Sequence, residues 1–264
     1  MTADLETPSA GLVEATPPAI AIRHGVKRFG GVTALDDVTL EARAGEVVAL
    51  LGDNGAGKST LIKCLTGVHR LDEGTIEMDG QPVRADSPAA ARALGIETVY
   101  QDLALFDNLD PAANFYAGRE LASPAWLPRW LRIMRPRAMQ SATDDLLRRL
   151  QVTLPSGHMT VGLMSGGQRQ AVAVARAAAF ATRVVILDEP TAALGTRESR
   201  SVLDLIVRLR DQGQAVIVIS HALDHVIEVA DRAVVMRRGR VVGEEVPTRE
   251  NQPRIVSLIV GGER

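Results

Sequence analysis

Short apolar runs and helical patterns alternate along this chain. Gly45 to Gly52, "GEVVALLG", is an apolar run, β-branched in part, that enters a glycine-rich loop. In the next segment, "STLIKCLTGV", Leu61, Ile62, Leu65 and Val68 fall on one side of a helix. The pattern therefore predicts a strand, a glycine loop and a helix in direct succession.

Further runs predict strands of two kinds. "VVILDE" (184–189) and "AVIVIS" (215–220) are short and continuously apolar, which is typical of strands buried on both faces of a parallel sheet. "GTIEMDGQPV" alternates around Asp79-Gly80 and predicts a hairpin, and "RAVVMRRGRVVGEE" predicts a late hairpin that turns near Gly239. Together these runs favour an α/β fold built on a parallel sheet.

The pattern of residue types changes between about residues 102 and 160. Prolines, arginines and helical patterns such as "QSATDDLLRRLQV" replace the β-branched runs. We interpret this segment as a mainly helical lobe inserted into an α/β core spanning residues 19–262. Residues 1–18 are acidic where a signal peptide is basic, and they predict a flexible N-terminal tail.

Composition narrows the possible partners. The formal net charge of -2 and the pI of about 6.2 provide no overall field for nucleic acid, so we expect no nucleic-acid partner. The single cysteine, Cys64, excludes an internal disulfide and suits a reducing compartment. No run of 18 apolar residues occurs, so any membrane process would be served through a partner.

The loop "LLGDNGAGKST" has the chemistry of a phosphate-binding loop. Gly52, Gly57, Lys58 and Ser59 fit the pattern G-x-x-x-x-G-K-[ST]. The glycines let backbone N–H groups curl around a β-phosphate, Lys58 bridges the β- and γ-phosphates, and the Ser59 hydroxyl is a ligand for Mg²⁺. The remaining nucleotide-binding candidates in the loop are Asp53, Asn54, Gly55, Ala56 and Thr60.

The run "VVILDEP" supplies a second part of such a site. It carries Asp188 to the C-terminal edge of a strand, where ligands bind in parallel sheets. Asp188 would help to hold Mg²⁺, and Glu189 could polarise the attacking water. A lone Asp-Glu pair usually just ends a strand, but this pair follows a phosphate loop, so the sequence predicts an NTPase.

A second anion-binding helix terminus is predicted at "MSGGQRQAVAVARAAAF". Ser165 is a natural N-cap for the alanine-rich helix, and Gly166, Gly167 and Gln168 follow it. An isolated S-G-G would be read as a flexible helix start. With these three motifs in this order, the chain resembles the ATP-binding cassette (ABC) family, whose signature is leucine followed by SGGQ; Met164 stands in the leucine position.

The resemblance covers about Ile20 to Val260 and implies a fold and a dimer. The fold is a P-loop NTPase (RecA-like) core with a parallel sheet, an antiparallel β subdomain and an inserted helical subdomain. In this family the signature binds the γ-phosphate held by another subunit. We therefore expect a homodimer of the chain that sandwiches two ATP molecules, with Mg²⁺ as cofactor.

Three more residues receive roles through the resemblance. Phe29 in "KRFGG" is similar to the aromatic residue that stacks on adenine, although a core residue would look the same. Gln101 in "VYQD" resembles the glutamine that touches Mg²⁺ and the attacking water, and His221 in "VISH" resembles the switch histidine at the γ-phosphate. Taken alone, a glutamine or histidine after a strand is usually a plain polar residue.

One position departs from the family pattern. Where the family commonly has S-A-L-D after the catalytic glutamate, this chain has "AALG", with Gly195 in place of the aspartate. That aspartate helps to couple the two ATP sites, so the departure puts the coupling geometry in question. Lys58, Gln101, Glu189 and His221 are all present, so hydrolysis is less affected.

The residues of several motifs indicate a subgroup of the family. "EPTAALG" and "SHALDHVIEVADRAVVMRRGR" resemble the ATPase subunits of bacterial monosaccharide importers. The resemblance implies integral membrane permease subunits, a periplasmic sugar-binding protein as an indirect partner, and a location at the cytoplasmic face of the bacterial inner membrane. An importer for another small solute, or an exporter, remains as the alternative, because its cassette carries the same chemistry.

The segment "SPAWLPRWLRIMRPRAM" has two open interpretations. It combines aromatic and basic side chains, which favours a position near the membrane or the permease. A solvated helix packed by its tryptophans explains the same pattern equally well. The residues concerned are Trp126, Trp130, Arg129, Arg132, Arg135 and Arg137.

Overall fold

The structure is a computed structural model, and it describes residues 16–261 apart from residues 125, 127, 129, 130 and 155. Most of the predicted tail, residues 1–18, therefore lies outside the described residues. The strands are β1 (Ile20–Phe29), β2 (Val32–Ala42), β3 (Val47–Leu51), β4 (Glu73–Met78), β5 (Gln81–Val83), β6 (Ile96–Val99), β7 (Ala122–Ser123), β8 (Ile133–Met134), β9 (Val184–Asp188), β10 (Ala215–Ile219), β11 (Arg232–Arg237) and β12 (Arg240–Glu245). The helices are α1 (Lys58–Leu65), α2 (Pro88–Ala93), α3 (Pro111–Tyr116), α4 (Pro136–Arg149), α5 (Gly166–Phe180), α6 (Thr196–Asp211), α7 (Leu223–Val229) and α8 (Gln252–Val260).

A six-stranded sheet forms the centre of the molecule, in the order β12-β11-β3-β10-β9-β6. The strands from β11 to β6 pair in parallel, and β12 pairs antiparallel with β11. The predicted parallel sheet is thus confirmed. Because these strands are parallel, the loops that follow β3, β9, β10 and β6 lie at one edge of the sheet.

Continuous apolar runs form the central strands because both faces of this sheet are covered. In β10, Ile217 and Ile219 pack with α1 on one face, whereas Val216 and Val218 pack with α5 and α6 on the other. All four side chains are at most 4% exposed. Burial of each such side chain stabilises the fold by about 1.5–3 kcal/mol, and a polar residue at any of these positions would lose that stabilisation.

A second, four-stranded sheet is antiparallel, in the order β2-β1-β4-β5. It includes the predicted hairpin, in which Met78 pairs with Gln81 across Asp79 and Gly80. Both turn residues have left-handed backbones, with φ of 49° and 76°, as the tight turn requires. The late hairpin of β11 and β12 turns in the same way at Arg238 and Gly239. The antiparallel subdomain implied by the resemblance is confirmed.

The first helix is one turn shorter than its apolar pattern. Helix α1 ends at Leu65, and Val68 lies beyond it with 45% of its surface exposed. Gly67 stops the helix with a φ of 72°, and a Cβ there would lie 2.5 Å from carbonyl oxygens of Ala85 and Ser87. Val68 therefore does not belong to the buried side of the helix, which corrects the sequence-based prediction.

The segment between residues 102 and 160 contains α3, α4 and long connections. The side chain of Asn114 organises one connection through hydrogen bonds with the backbone of Phe106, Leu109 and Asp110. Between the two helices, β7 and β8 pair as a small antiparallel hairpin that the pattern had not predicted. Throughout the described part of the chain, every helix is too short or too polar to cross a membrane.

The described part of the tryptophan-rich segment contains Ser123 of β7, the strand β8 and the first turn of α4. Trp126 is 82% exposed and Ile133 is 75% exposed, so Trp126 does not pack the segment from within. Packing of the segment by Trp126 is therefore wrong, while the role of the segment as a whole stays a prediction. Arg129 and Trp130 lie outside the described residues.

Candidate functional site

The glycine-rich loop joins β3 to α1, as the sequence predicted. Gly52 and Gly57 have φ values of 145° and 105°, which side chains other than glycine rarely adopt. A Cβ on Gly52 would lie 2.2 Å from the carbonyl oxygen of Met236, and one on Gly57 would lie 2.7 Å from that of Ala34. These two positions require glycine because backbone from neighbouring elements closes around the loop.

Lys58 folds back over the loop that precedes it. Its Nζ donates to the carbonyl oxygens of Gly52 (2.6 Å) and Asp53 (3.0 Å), and only 7% of the residue is exposed. Burial lowers the pKa of Lys58, and the nearby carboxylates of Glu189, Asp53 and Asp188 oppose that shift. The loop therefore holds a buried cation where an anionic ligand would meet backbone N–H groups.

Asp188 and Glu189 stand at the C-terminal end of β9, beside β10. The backbone N–H of Glu189 donates to the carbonyl oxygen of Ile219 (2.9 Å), which fixes the residue to the neighbouring strand. Glu189 has a φ of 51°, an uncommon backbone for a residue with a side chain. Such strained positions cluster at functional sites, because the surrounding structure must hold them in place.

The carboxylate of Glu189 faces the imidazole of His221. Oε1 of Glu189 lies 3.1 Å from Nε2 of His221, and the two side chains are 17% and 55% exposed. The same oxygen is buried and accepts no hydrogen bond from the described residues. The pair is therefore a close contact without hydrogen-bond alignment, and this oxygen of Glu189 remains available as an acceptor for another group.

Both acidic side chains bind protons more tightly than free carboxyl groups. Burial raises the pKa of Glu189, and Asp188 raises it further, while His221 and Lys58 oppose the shift. Burial also raises the pKa of Asp188, against the attraction of Lys58 and His221. A carboxylate whose pKa is raised towards neutrality is a better proton acceptor, which is the property a general base needs.

One cavity of about 590 Å³ brings most of the candidate residues together. Gln101, at the turn after β6, lines it opposite the phosphate loop. The cavity also contains positions that sequence reasoning missed, on the turn of the β11–β12 hairpin and at the start of β2. The lining residues are Asn54, Gly55, Ala56, Gly57, Lys58, Ser59, Thr60, Gln101, Asp188, Glu189 and His221, with Val32, Thr33, Ala34, Ile219, Arg238 and Gly239 added by the fold.

Phe29 does not line this cavity. Its ring packs edge-on against His69, with 5.1 Å between ring centroids, and Lys27 lies 5.5 Å from it. The residue is 43% exposed at the end of β1. Val32, at the start of β2, lines the cavity instead and is 66% exposed. Adenine stacking by Phe29 thus remains a prediction from the resemblance alone.

The SGGQ turn forms a different surface of the same subunit. Ser165 Oγ accepts from the backbone N–H of Gln168 (3.3 Å), and Gln168 Oε1 accepts from that of Ser165 (2.9 Å). This reciprocal capping box starts α5. Ser165, Gly167 and Gln168 line a second cavity, with Arg197 and Glu198 of α6, apart from the phosphate loop. Within one chain the signature and the phosphate loop do not share a cavity.

Oxygen donors in the first cavity fit a magnesium ion. Among the described residues, no group of three or more His, Cys, Asp and Glu side chains could hold a metal ion by itself. The Ser59 hydroxyl, the Asp188 carboxylate and the Gln101 amide all line the cavity. Mg²⁺ is characteristically held by one or two such oxygens together with substrate phosphates, so this donor set fits.

Three features of this site define a phosphate-loop NTPase. They are a glycine loop between a parallel strand and a helix, a buried lysine over that loop, and a carboxylate pair on β9, two strands away from β3 in the sheet. The model of the ABC transporter family matches residues 35–192. The chain is 48% identical over 227 residues to the fructose import ATP-binding protein FrcA of Rhizobium meliloti, covering 86% of this chain and 87% of that protein. It is 44% identical over 240 residues to the xylose/arabinose import ATP-binding protein XylG of Sulfolobus acidocaldarius, covering 91% and 93%.

Solved structures agree with these relatives. A nucleotide-free ATP-binding cassette from an ABC transporter superposes with a TM-score of 0.77 at 25% identity, covering 92% of this chain and 97% of that one. The ADP conformation of the cassette MJ1267 gives a TM-score of 0.77 at 26% identity, covering 94% and 100%. The chain therefore belongs to the ABC transporter family and is an ATP-binding, ATP-hydrolysing cassette of it.

Proposed function

We propose that this chain is the ATP-hydrolysing subunit of an importer for a monosaccharide. Its relatives FrcA and XylG are named for import of fructose and of xylose or arabinose, and each is covered over most of its length. The ribose import protein RbsA 1 of Rubrobacter xylanophilus is 43% identical, but this chain spans only 47% of it. Similarity to sugar import proteins over nearly the whole chain is the observation that carries the proposal.

Each side chain of the first cavity has a role in this proposal. Lys58 and the loop N–H groups bind the β- and γ-phosphates of ATP, and Ser59, Asp188 and Gln101 would hold Mg²⁺, which when bound offsets the charge of the phosphates. Glu189 accepts the proton of the attacking water through its unpaired oxygen. His221, 3.1 Å from that oxygen, orients Glu189 and reaches the γ-phosphate.

A second copy of the chain completes the site. Ser165 to Gln168 start a helix whose free N–H groups favour an anion, yet they line a cavity apart from Lys58. Two copies arranged head to tail bring the SGGQ turn of each to the γ-phosphate bound by the other. ATP then holds the dimer closed and hydrolysis releases it, which drives a pair of permease subunits supplied by a periplasmic sugar-binding protein at the inner face of the bacterial membrane.

Sugar uptake tests this proposal directly. Cells that carry the wild-type protein or Lys58→Ala are given a panel of labelled monosaccharides, with Lys63→Ala as the matched control on the exposed face of the same helix. We expect Lys58→Ala to abolish uptake of one sugar and Lys63→Ala to preserve it. If every sugar still enters the Lys58→Ala cells, sugar import is refuted, and the remaining alternatives are another small solute or export.

A further inference from the structure

Gln101 lies in a turn that the rest of the molecule holds from two sides. Immediately before it, the hydroxyl of Tyr100 lies 3.1 Å from that of Thr66, at the end of α1. Within the turn, the N–H of Leu103 donates to the carbonyl oxygen of Tyr100 (2.9 Å). The side chain of Gln101 is exposed in the cavity, so its position depends on this backbone.

The turn has an unusual backbone after Gln101. Leu103 and Ala104 are consecutive residues with φ of 57° and 47°, although neither is glycine. A left-handed backbone at a residue with a side chain is unfavourable and persists only where the surroundings impose it. Two such residues in succession turn both carbonyl oxygens towards α5, where they need a donor.

Arg176 of α5 provides that donor. Its Nη1 donates to the carbonyl oxygen of Ala104 (2.7 Å) and its Nη2 to that of Leu103 (2.9 Å). The rigid guanidinium plane thus holds both oxygens with one side chain, a geometry that the single ammonium of lysine cannot reproduce. Burial lowers the pKa of Arg176, and the carboxylate of Glu97 opposes that shift.

Two further contacts link this part of α5 to β6. Glu97 lies on β6, the strand that leads into the turn, and forms an ion pair with Arg119 (2.6 Å). Arg119 in turn lies over the ring of Phe180 at the end of α5, 4.3 Å from its centroid. The turn, β6 and the C-terminal half of α5 are therefore connected by one polar cluster.

Helix α5 begins at the SGGQ turn, and Arg176 lies about 15 Å further along it. We propose that Arg176 is a positioning residue that sets the place of Gln101 and makes the Gln101 turn move with the signature helix. The proposal rests on the proposed role of Gln101 in hydrolysis. When the signature of one subunit engages the nucleotide of its partner, the displacement of α5 carries the Leu103 and Ala104 carbonyls, and with them Gln101.

Steady-state ATP hydrolysis by the full chain tests the proposal with four single variants and one double variant. Arg176→Met removes both hydrogen bonds, Arg176→Lys keeps the charge without the fork, and Gln101→Ala removes the positioned group. Arg232→Met is the control, because Nη2 of Arg232 also donates to a backbone carbonyl, that of Glu41 (2.7 Å), and the residue lines neither cavity. The double variant Gln101→Ala/Arg176→Met completes a double-mutant cycle.

We expect Arg176→Met to lower kcat by about ten- to a hundredfold, because a small displacement of a positioned group has such an effect, while the KM for ATP changes by less than about twofold. Arg176→Lys should be intermediate, and Arg232→Met should have the kcat of the wild type. The double variant should have the kcat of Gln101→Ala alone, since Arg176 acts through Gln101. A merely structural role would give losses that multiply.

Three outcomes would overturn the proposal, and they separate it from the role of Gln101. If Gln101→Ala is inactive and Arg176→Met has wild-type kcat, the link is wrong and the function stands. Losses that multiply in the double variant also refute the link. If Gln101→Ala itself retains wild-type kcat, the role of Gln101 and the inference fail together. Should Arg176→Met fail to fold, the kcat of Arg176→Lys in the same cycle decides.

Discussion

Replacement of Gly167 by alanine tests how closely α5 and α6 approach at the SGGQ turn. A Cβ at Gly167 would lie 2.3 Å from Cγ and 2.5 Å from Cβ of Glu198, both well below an ordinary carbon contact. The second of these atoms is attached to the backbone of α6, so rotation of the Glu198 side chain alone cannot relieve the contact. Gly167 is required here by space rather than by a left-handed backbone.

Gly166 provides a control for the same substitution one residue earlier. Its Cβ would meet only Cδ2 of Leu194, at an ordinary 3.6 Å. Alanine is a better helix former than glycine, so Gly166→Ala should be neutral or stabilising by up to about 1 kcal/mol. Gly167→Ala gains the same helix propensity, but its Cβ overpacks the contact with Glu198, which lowers stability by about 1–3 kcal/mol.

We therefore expect Gly167→Ala to be about 2 kcal/mol less stable than Gly166→Ala, which corresponds to a melting temperature lower by about 4–8 °C. Thermal unfolding of the two purified variants, followed by circular dichroism, measures this difference. Glu198→Gly removes both contacting atoms, so the penalty of Gly167→Ala should largely disappear in that background. Equal melting temperatures for Gly166→Ala and Gly167→Ala would refute the reasoning.

The remaining predictions concern charge and exposure. Burial raises the pKa of Glu189, so its ionised form is less stable in the folded protein than in the unfolded chain. The stability contributed by the protonated form is present below the ordinary pKa of 4.5 and is lost as pH rises through the pKa of the folded state. Glu189→Gln should thus raise the melting temperature at pH 7 and not at pH 4 while abolishing hydrolysis, and an unchanged pH profile of stability would contradict this. Arg232→Met should lower the free energy of unfolding in denaturant by about 2 kcal/mol, because Arg232 forms ion pairs with Glu46 (2.9 Å) and Glu244 (2.8 Å) and donates to a backbone carbonyl. Arg240→Met breaks one exposed ion pair and should lower it by less than about 1 kcal/mol. Trp126→Ser should change the free energy of unfolding by less than about 0.5 kcal/mol, since the side chain is 82% exposed; a larger loss would mean that it packs against the fold.

The side chain of Glu198 lies in the space next to Gly195. Gly195 precedes α6 with an ordinary φ of -70°, so its backbone does not require glycine. A Cβ there would lie 2.6 Å from Oε2 of Glu198, the mobile end of a side chain. The carboxylate of Glu198 thus occupies the space beside Gly195, next to the turn that holds Gly167. An aspartate at position 195 would have to displace an existing negative charge.

Local patterns predicted three central strands, two hairpins and the first helix, because each depends on neighbouring residues only. Continuous apolar runs identified β3, β9 and β10, and the turn residues identified both hairpins. Val68 was assigned wrongly, since the pattern continued past Gly67 while the backbone there could not. The hairpin of β7 and β8 was missed because each strand has only two residues, too few for any periodicity.

The sequence by itself determined the chemistry of the site: a glycine loop typical of phosphate binding, a lysine, a hydroxyl, and a carboxylate pair at the end of a buried strand. The tertiary structure decided which of these meet. Arg238 enters the cavity and Phe29 does not, and Arg176 reaches the carbonyls of Leu103 and Ala104. The reason is physical: residue type and local spacing fix what a segment can form and bind, whereas the order of strands in the sheet and the packing of helices on it fix which distant segments touch.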